Sequence, residues 1–224
     1  LLRELRRPDG RWFRSWHAAG KPAARHHALA ADHAALIDGF TRLAELTGEA
    51  RWIGHAREVA EVLLDHFWDV DRGGLYTVPD DGESLVVRQK DLVDTATPSA
   101  NSAAALALAR LAALTGENRY ANHGDQIIRL LAASIPQAPT AFSLALTALA
   151  TRVAGTSEIV VTGARPDLLA EVRRHWLPDA VLAWGEPYDS PLWHQRADGL
   201  AYVCRQHACQ LPAENVTELA QQLL

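Results

Sequence analysis

Two short stretches concentrate the residue types that acid–base chemistry needs. "ADHAALIDG" carries Asp32 and His33, with Asp38 nearly two turns further on, and "KDLVDTATPSANS" carries Lys90, Asp91, Asp94, Ser99, Asn101 and Ser102. Carboxylates paired with a histidine can act as general acid and base on a sugar, because one group gives a proton while the other takes or steers one. Asp32, His33 and Asp94 are therefore the candidate proton-transfer groups, and Lys90, Asp91, Asn101 and Ser102 the candidate ligand contacts. Trp16, with Trp12 and Trp68 nearby in type, offers a ring that can stack on a sugar, although aromatic residues at such places also serve as packing.

Ordinary helix capping competes with this reading. Thr97 as N-cap, Pro98 at the first helical position and Asp94 just outside the positive helix end would account for much of the second stretch. Capping does not account for Asn101, which at helical spacing shares a face with Ala104, Ala105 and Leu108 and is expected to point inward. For Asp32 and His33 the plainer expectation is a cap or a buried hydrogen bond.

Other reactive side chains are few. His17, His26, His27 and His33 match no standard ligand spacing, so neither a metal nor another cofactor is expected. Cys204 and Cys209, in "CRQHAC", are five apart, unlike the C-x-x-C of thioredoxin-like centres. They read as free structural thiols, or as a low-ranked redox pair if a turn brings their Cα atoms to about 5.5 Å.

Both chemical stretches stand where helices begin, and the helices repeat. Shifting the sequence by 68 residues superposes "LTGEARW" on "LTGENRY"; from Leu36–Phe67 onto Ala104–Ile135, ten of 32 positions are identical. Each copy reads as helix, Gly turn, helix, with Gly48 and Gly116 suited to left-handed helix ends. The tight turn makes the two helices antiparallel neighbours. Trp52, Ala56, Val59, Ala60, Leu63 and Phe67 form one stripe, which predicts an outer helix with a wet side. Ala103 to Leu114 has Arg110 as its sole charged residue, which predicts an enclosed inner helix.

Between the copies, "GGLYTV", "PDDGE" and "SLVVRQ" predict a small β-hairpin around an Asp-Gly turn, and "GRWFRSW" a similar excursion. A third inner-type helix is expected over Pro139 to Gly155. From Thr156 the pattern changes: "EIVVTG", "AVLAWG" and "LAYVCRQ" read as strands, "DLLAEVRRHW" and "ENVTELAQQLL" as helices. The expected division is a helical-hairpin part over residues 1–155 and a small α/β appendix over 156–224.

Composition sets the outer bounds. A net charge of −5 and a pI near 6.1 argue against a nucleic-acid binder. No apolar run reaches the roughly 20 residues that span a bilayer, and the first residues do not read as a signal peptide, so a soluble cytoplasmic protein without a membrane partner is expected. The absence of Met, even at position 1, points to an N-terminally truncated piece of a longer chain.

"DHAALIDG", "LVVRQKDLVDTATPSANS", "LTGENRY" and "AYVCRQHACQLP" together resemble the C-terminal portion of the spermatogenesis-associated protein 20-like family of thioredoxin-domain proteins. The likeness covers nearly the whole chain. It departs from the family pattern at His33, where a Tyr is usual, at Val93, where an aromatic is common, and at Ala100, where a Gly precedes Asn101. The resemblance implies a mainly α fold: a partial (α/α)6 toroid of helical hairpins of the six-hairpin glycosidase type, with small β-hairpin insertions and a small α/β C-terminal appendix. It implies as partners an upstream thioredoxin-like domain and the remaining hairpins. A toroid collects the polar ends of its inner helices around a cavity, so the expected function is binding or processing of a carbohydrate-like small polar molecule there. If there is turnover, it is acid–base chemistry of the epimerase or glycosidase kind. The alternative is a non-catalytic scaffold serving the redox domain.

Overall fold

The computed structural model describes residues 1–20, 23–82, 86–205 and 208–223. A two-stranded antiparallel ribbon comes first, β1 (Phe13–His17) against β2 (Ala23–His27), with Trp16 opposite Ala24. This is the excursion expected from "GRWFRSW". Five helices follow: α1 (Ala30–Thr47), α2 (Arg51–Phe67), α3 (Ala100–Thr115), α4 (Asn118–Leu131) and α5 (Ser143–Ala154), the last entered through a 3-10 turn at Pro139–Phe142.

The repeat is visible in three dimensions. The 68-residue shift carries α1 onto α3 and α2 onto α4, and the turn glycines adopt the same left-handed conformation, φ 71° at Gly48 and 74° at Gly116. Each returns its N–H to a carbonyl four residues back, Ala44 and Ala112, both at 2.8 Å. A side chain at either position would pay the left-handed penalty that glycine escapes.

Burial separates the two kinds of helix. In α2 the buried residues Ile53, Ala56, Val59, Ala60, Leu63 and Phe67 keep to one stripe, whereas α3 buries residues all round, including Asn101, Ser102 and Arg110. Accordingly α3 packs on α1, α4 and α5, and α1 packs on α2. Their shared core holds Phe40, Leu63, Phe67, Leu108, Leu111 and Tyr120. Truncating one of its leucines, such as Leu108, to Ala would cost about 2–5 kcal/mol.

The segment between the copies departs from expectation. Among the described residues it contains no strand pair, only a single bridge between Trp68 and Leu75. Part of the expected hairpin, residues 83–85, lies outside the described residues. What organises the rest is side-chain bonding: Asp69 Oδ1 accepts from the N–H groups of Asp71 and Arg72 at 3.0 and 3.1 Å, an Asx-type turn that replaces a ladder.

After Gly155 come β3 (Ser157–Val161), α6 (Pro166–Arg174), β4 (Ala180–Trp184), β5 (Ala201–Arg205), β6 (Ala208–Cys209) and α7 (Val216–Gln222). The sheet order is β4-β3-β5-β6, with β3 parallel to β4 and antiparallel to β5. Ile159, Val161 and Val203 pack with Leu168, Val172 and Leu219 of α6 and α7. Val181 turns the other way, onto Ala44, Ile53 and Leu114.

The sheet docks on the C-terminal ends of α1 and α3. Buried Arg110 donates to Glu45 Oε1 at 2.7 Å and to the Ala180 carbonyl at 3.1 Å, while Leu182 N–H donates to the same Glu45 oxygen at 3.1 Å. Trp184 Nε1 donates to the Glu45 carbonyl, and Glu186 N–H to the Gly48 carbonyl, both at 2.7 Å. Backbone meets backbone at this seam: a Cβ added to Gly185 would lie 2.5 Å from Gly48 O, and one added to Gly116 would lie 2.6 Å from Pro191 Cδ. No helix among the described residues is long and apolar enough to cross a membrane.

Candidate functional site

The start of α1 carries the first candidate pair. Asp32 occupies the third position of the helix, and its Oδ2 accepts from Leu29 N–H at 2.8 Å, the carboxylate half of a capping box. Arg14 lies 3.5 Å from the same oxygen. His33 is buried, with its ring 5.0 Å from that of Phe67. Its Nδ1 is 2.8 Å from the Leu29 carbonyl oxygen. A carbonyl can only accept, so Nδ1 carries the hydrogen and neutral His33 presents a lone pair at Nε2. That nitrogen is buried and has no hydrogen-bond partner among the described residues. Burial pushes the His33 pKa below its ordinary 6.5, against the raising effect of the Leu29 bond.

Beside this helix start lies a cavity of about 510 Å³. Arg7, Arg11, His27 and Asp81 supply its polar wall, and Leu29, Val78 and Pro79 its apolar one. Arg11 binds Asp81 in the two-pronged manner of guanidinium and carboxylate, at 2.8 and 3.0 Å, which holds the Asp81 carboxyl below the usual range. Arg7 reaches His27 Nδ1 at 3.0 Å and Asp9 at 2.7 Å. Since a guanidinium only donates, Nδ1 of His27 is the accepting nitrogen and Nε2 carries the hydrogen when the ring is neutral.

At the rim, His66 Nδ1 meets Asp80 Oδ1 at 2.9 Å. His66, Asp80 and Asp81 bring metal-ligating atoms within 4.8 Å of one another. Arg11 already supplies a cation to Asp81, so a metal ion would have to displace a bidentate pair.

The start of α3 is built differently. Its N-cap is Ser99, which accepts from Ser102 N–H at 3.0 Å; the expected cap, Thr97, lies two residues too early. Asp94 explains the shift, since its Oδ1 accepts from Ser99 N–H at 2.9 Å and its Oδ2 from Leu144 N–H at 2.8 Å. One carboxylate thereby ties the starts of two helices together. Burial alone would raise its pKa, but the bonds it accepts outweigh that and leave it below the ordinary carboxylate value.

Neighbouring polar groups are used in the same manner. Asp91 accepts from Ala100 N–H at 3.0 Å. Asn101 accepts from Leu75 N–H at 2.7 Å and donates to the Leu75 and Asp91 carbonyls at 3.0 and 2.7 Å. Ser102 Oγ meets Ser99 Oγ at 2.9 Å. Lys90 forms an ion pair of 2.8 Å with buried Asp69. Lys90 holds the Asp69 carboxyl far below its ordinary value, aided by the Tyr76 hydroxyl at 2.8 Å.

The cavity takes in Leu29 at the start of α1 but neither Asp32 nor His33, and none of the α3 cluster: Lys90, Asp91, Asp94, Asn101 and Ser102 do not line it. Trp16 is exposed on the ribbon, also away from the lining, while Trp12 packs on Phe40 with ring centroids 6.0 Å apart. Sequence reasoning missed Arg7, Arg11, Asp81 and Asp69. The alternation of charge in "RRPDGR" was a signal for the first two, but the partner of Arg11 is 70 residues away.

Cys204 and Cys209 are joined as a disulfide, which corrects the expectation of free thiols. The physical reason is register: the two residues face each other as partners on β5 and β6.

Residues 27–138, half of the chain, match the family model described as N-acylglucosamine 2-epimerase (GlcNAc 2-epimerase). Over 205 aligned residues, covering 84% of this chain, the sequence is 27% identical to spermatogenesis-associated protein 20 of Homo sapiens. The corresponding proteins of Rattus norvegicus and Mus musculus are 26% and 25% identical. Each alignment takes in 26% of the relative, so the chain spans about a quarter of the length of the curated relatives it matches.

Proposed function

The chain belongs to the N-acylglucosamine 2-epimerase family, and from that premise we propose that its helical hairpins form part of an (α/α)6 toroid whose cavity takes a carbohydrate-like small molecule. The basin beside α1 is this chain's share of the binding surface. The observation that carries the reading is the make-up of its wall: Arg7 and Arg11, whose pairs with His27, Asp9 and Asp81 use only some of their N–H groups, the lone pairs of Asp81 that Arg11 leaves over, and an apolar side of Leu29, Val78 and Pro79. Sugar hydroxyls both give and take hydrogen bonds, while the C–H faces of the ring prefer an apolar surface, so a mixed wall suits such a ligand.

Epimerisation requires a base to remove a proton and an acid to return it. In this reading His33 is the base: its Nδ1 is committed to Leu29 and burial disfavours a second proton. It does not line the basin, so its buried Nε2 has to be uncovered from behind Leu29 before it meets a ligand. Asp32 steers the helix start on which His33 sits. Asp94 and Asn101 shape the fold without touching ligand, since backbone groups take up their polar atoms, and Asp91 holds the start of α3 through one carboxylate oxygen. That same saturation is what favours the second reading, a non-catalytic scaffold serving a thioredoxin-like domain elsewhere in a longer protein.

Titration of the chain with N-acetylglucosamine and N-acetylmannosamine, followed by NMR, separates the two. Sugar-dependent shifts that vanish in Arg11→Ala, with the fold intact by circular dichroism, support the basin. Absence of shifts with either sugar, or shifts indifferent to Arg11→Ala, would remove it. Interconversion of the two sugars, lost in His33→Leu, is the corresponding test of turnover.

A further inference from the structure

The disulfide between β5 and β6 has a neighbour that a merely structural bridge would not need. Arg196 Nη2 lies 3.4 Å from Cys204 Sγ and 3.3 Å from Cys209 Sγ. Its guanidinium is fixed there, with Nε donating to the Leu192 carbonyl at 3.2 Å and the ring of Tyr202 beneath it at 4.4 Å. The two sulfurs, Arg196, Pro191 and buried Glu158, the partner of Cys204 on β3, line a cleft of about 140 Å³ at the end of α3, so Arg196 has to outweigh a nearby carboxylate to favour a thiolate. A neutral disulfide gains little from a cation held against both sulfurs, whereas a thiolate gains a charge-assisted contact and a lower pKa. The sulfurs also differ in access, for Cys204 is buried and Cys209 is exposed.

We infer that Cys204–Cys209 is a thiol–disulfide exchange site whose natural reactant is a dithiol reductant and whose leaving group, the Cys204 thiolate, is received by Arg196. The thiolate of the reductant attacks Cys209 Sγ, a new S–S bond forms there, and the bond to Cys204 breaks with its electron pair going to Cys204. The second thiol of the reductant, after losing its proton to solvent, attacks the mixed disulfide and releases the Cys209 thiolate. The reductant leaves as a cyclic disulfide, two electrons having passed to the protein. The site lies apart from the basin and does not depend on the sugar-binding reading.

Timed reduction of the chain with dithiothreitol, quenched with N-ethylmaleimide and read by mass spectrometry, tests the inference. No label without reductant and two labels after it are expected; full labelling without reductant would overturn it. Arg196→Met is expected to slow reduction by about three- to tenfold, and Arg196→Lys, which keeps the charge, by about twofold at most. Equal rates in Arg196→Met and the unaltered chain, or equal slowing in both variants, would overturn the role of the charge. Should Arg196→Met fail to fold, alkylation of the reduced unaltered protein against pH decides. A thiolate midpoint below the roughly 8.5 of a free cysteine supports the inference, and one at or above it defeats it.

Discussion

The starts of α1 and α3 are the same place in two copies of one repeat, and they have been finished differently. The 68-residue shift puts His33 on Asn101, and both side chains are buried at 1% and 0% exposure. Asn101 spends its amide on three bonds to backbone, whereas His33 spends one nitrogen and keeps the other without a partner among the described residues. Burying a polar atom unpaired costs free energy, so a position that does so is a better place to look for chemistry than one that has settled its polar groups. The far ends of the same helices differ as much. Arg42 is exposed beside Asp38 at 3.4 Å, while its counterpart Arg110 is buried on Glu45 and holds the sheet.

The largest break in the comparison should come at that far end. Arg110→Ala leaves Glu45 buried without its counter-charge and is expected to cost about 3–5 kcal/mol by urea denaturation. Arg42→Ala at the equivalent place should cost less than about 1 kcal/mol. Similar losses for the two would mean that the sheet does not draw its docking from Arg110.

At the near end the expected asymmetry is smaller. Asn101→Ala strips partners from the backbone of buried Leu75 and from the Asp91 carbonyl and should cost about 2–4 kcal/mol. His33→Leu exchanges one bond for apolar packing and should stay within about 1 kcal/mol of the unaltered chain. Asp94→Ala removes the acceptor for two helix starts and belongs between them, at about 1–2 kcal/mol. A sugar-binding loss in Asp94→Ala without any loss of stability would return that residue to the ligand site.

The finest distinction is one of pH. Burial places the folded-state pKa of His33 below 6.5, so the unfolded chain takes up a proton there before the folded chain does. Its contribution is whole above pH 6.5 and is lost as pH falls through the folded value. Between about pH 7.5 and about pH 5.5 the unaltered chain should lose up to about 1 kcal/mol more than His33→Leu. Equal losses would locate the acid sensitivity in other groups.

Much of this was legible from local rules. Gly48 and Gly116 announce helix ends because a left-handed residue is needed whatever surrounds it, and the stripe of α2 follows from one wet side. The inward direction of Asn101 was legible too, but its occupation by Leu75 was not, because that contact joins segments 26 residues apart. Choosing Ser99 over Thr97 as the cap depended on Asp94 reaching the Ser99 N–H, a matter of loop path rather than propensity. The basin was hidden for the same reason: Arg11 and Asp81 become a wall only when the ribbon and the turn after α2 fold side by side. Lys90 looked like a ligand contact because Asp69, its partner, stands in the turn after α2, ahead of the stretch read as a hairpin and with no pattern of its own.

The glycine seam has a consequence for the order of events in folding. Glu45 meets Leu182 across 137 residues of chain, and Glu186 caps a turn set by Gly48. Closing so long a loop is entropically slow, and the surface it closes onto exists only after both helical hairpins have made their turns. The sheet is therefore expected to arrive last, and a side chain at Gly185 would delay the arrival more than it would disturb either half already formed. The two glycine turns that end α1 and α3 are thus expected to act as a checkpoint, passed only by hairpins that are already in register.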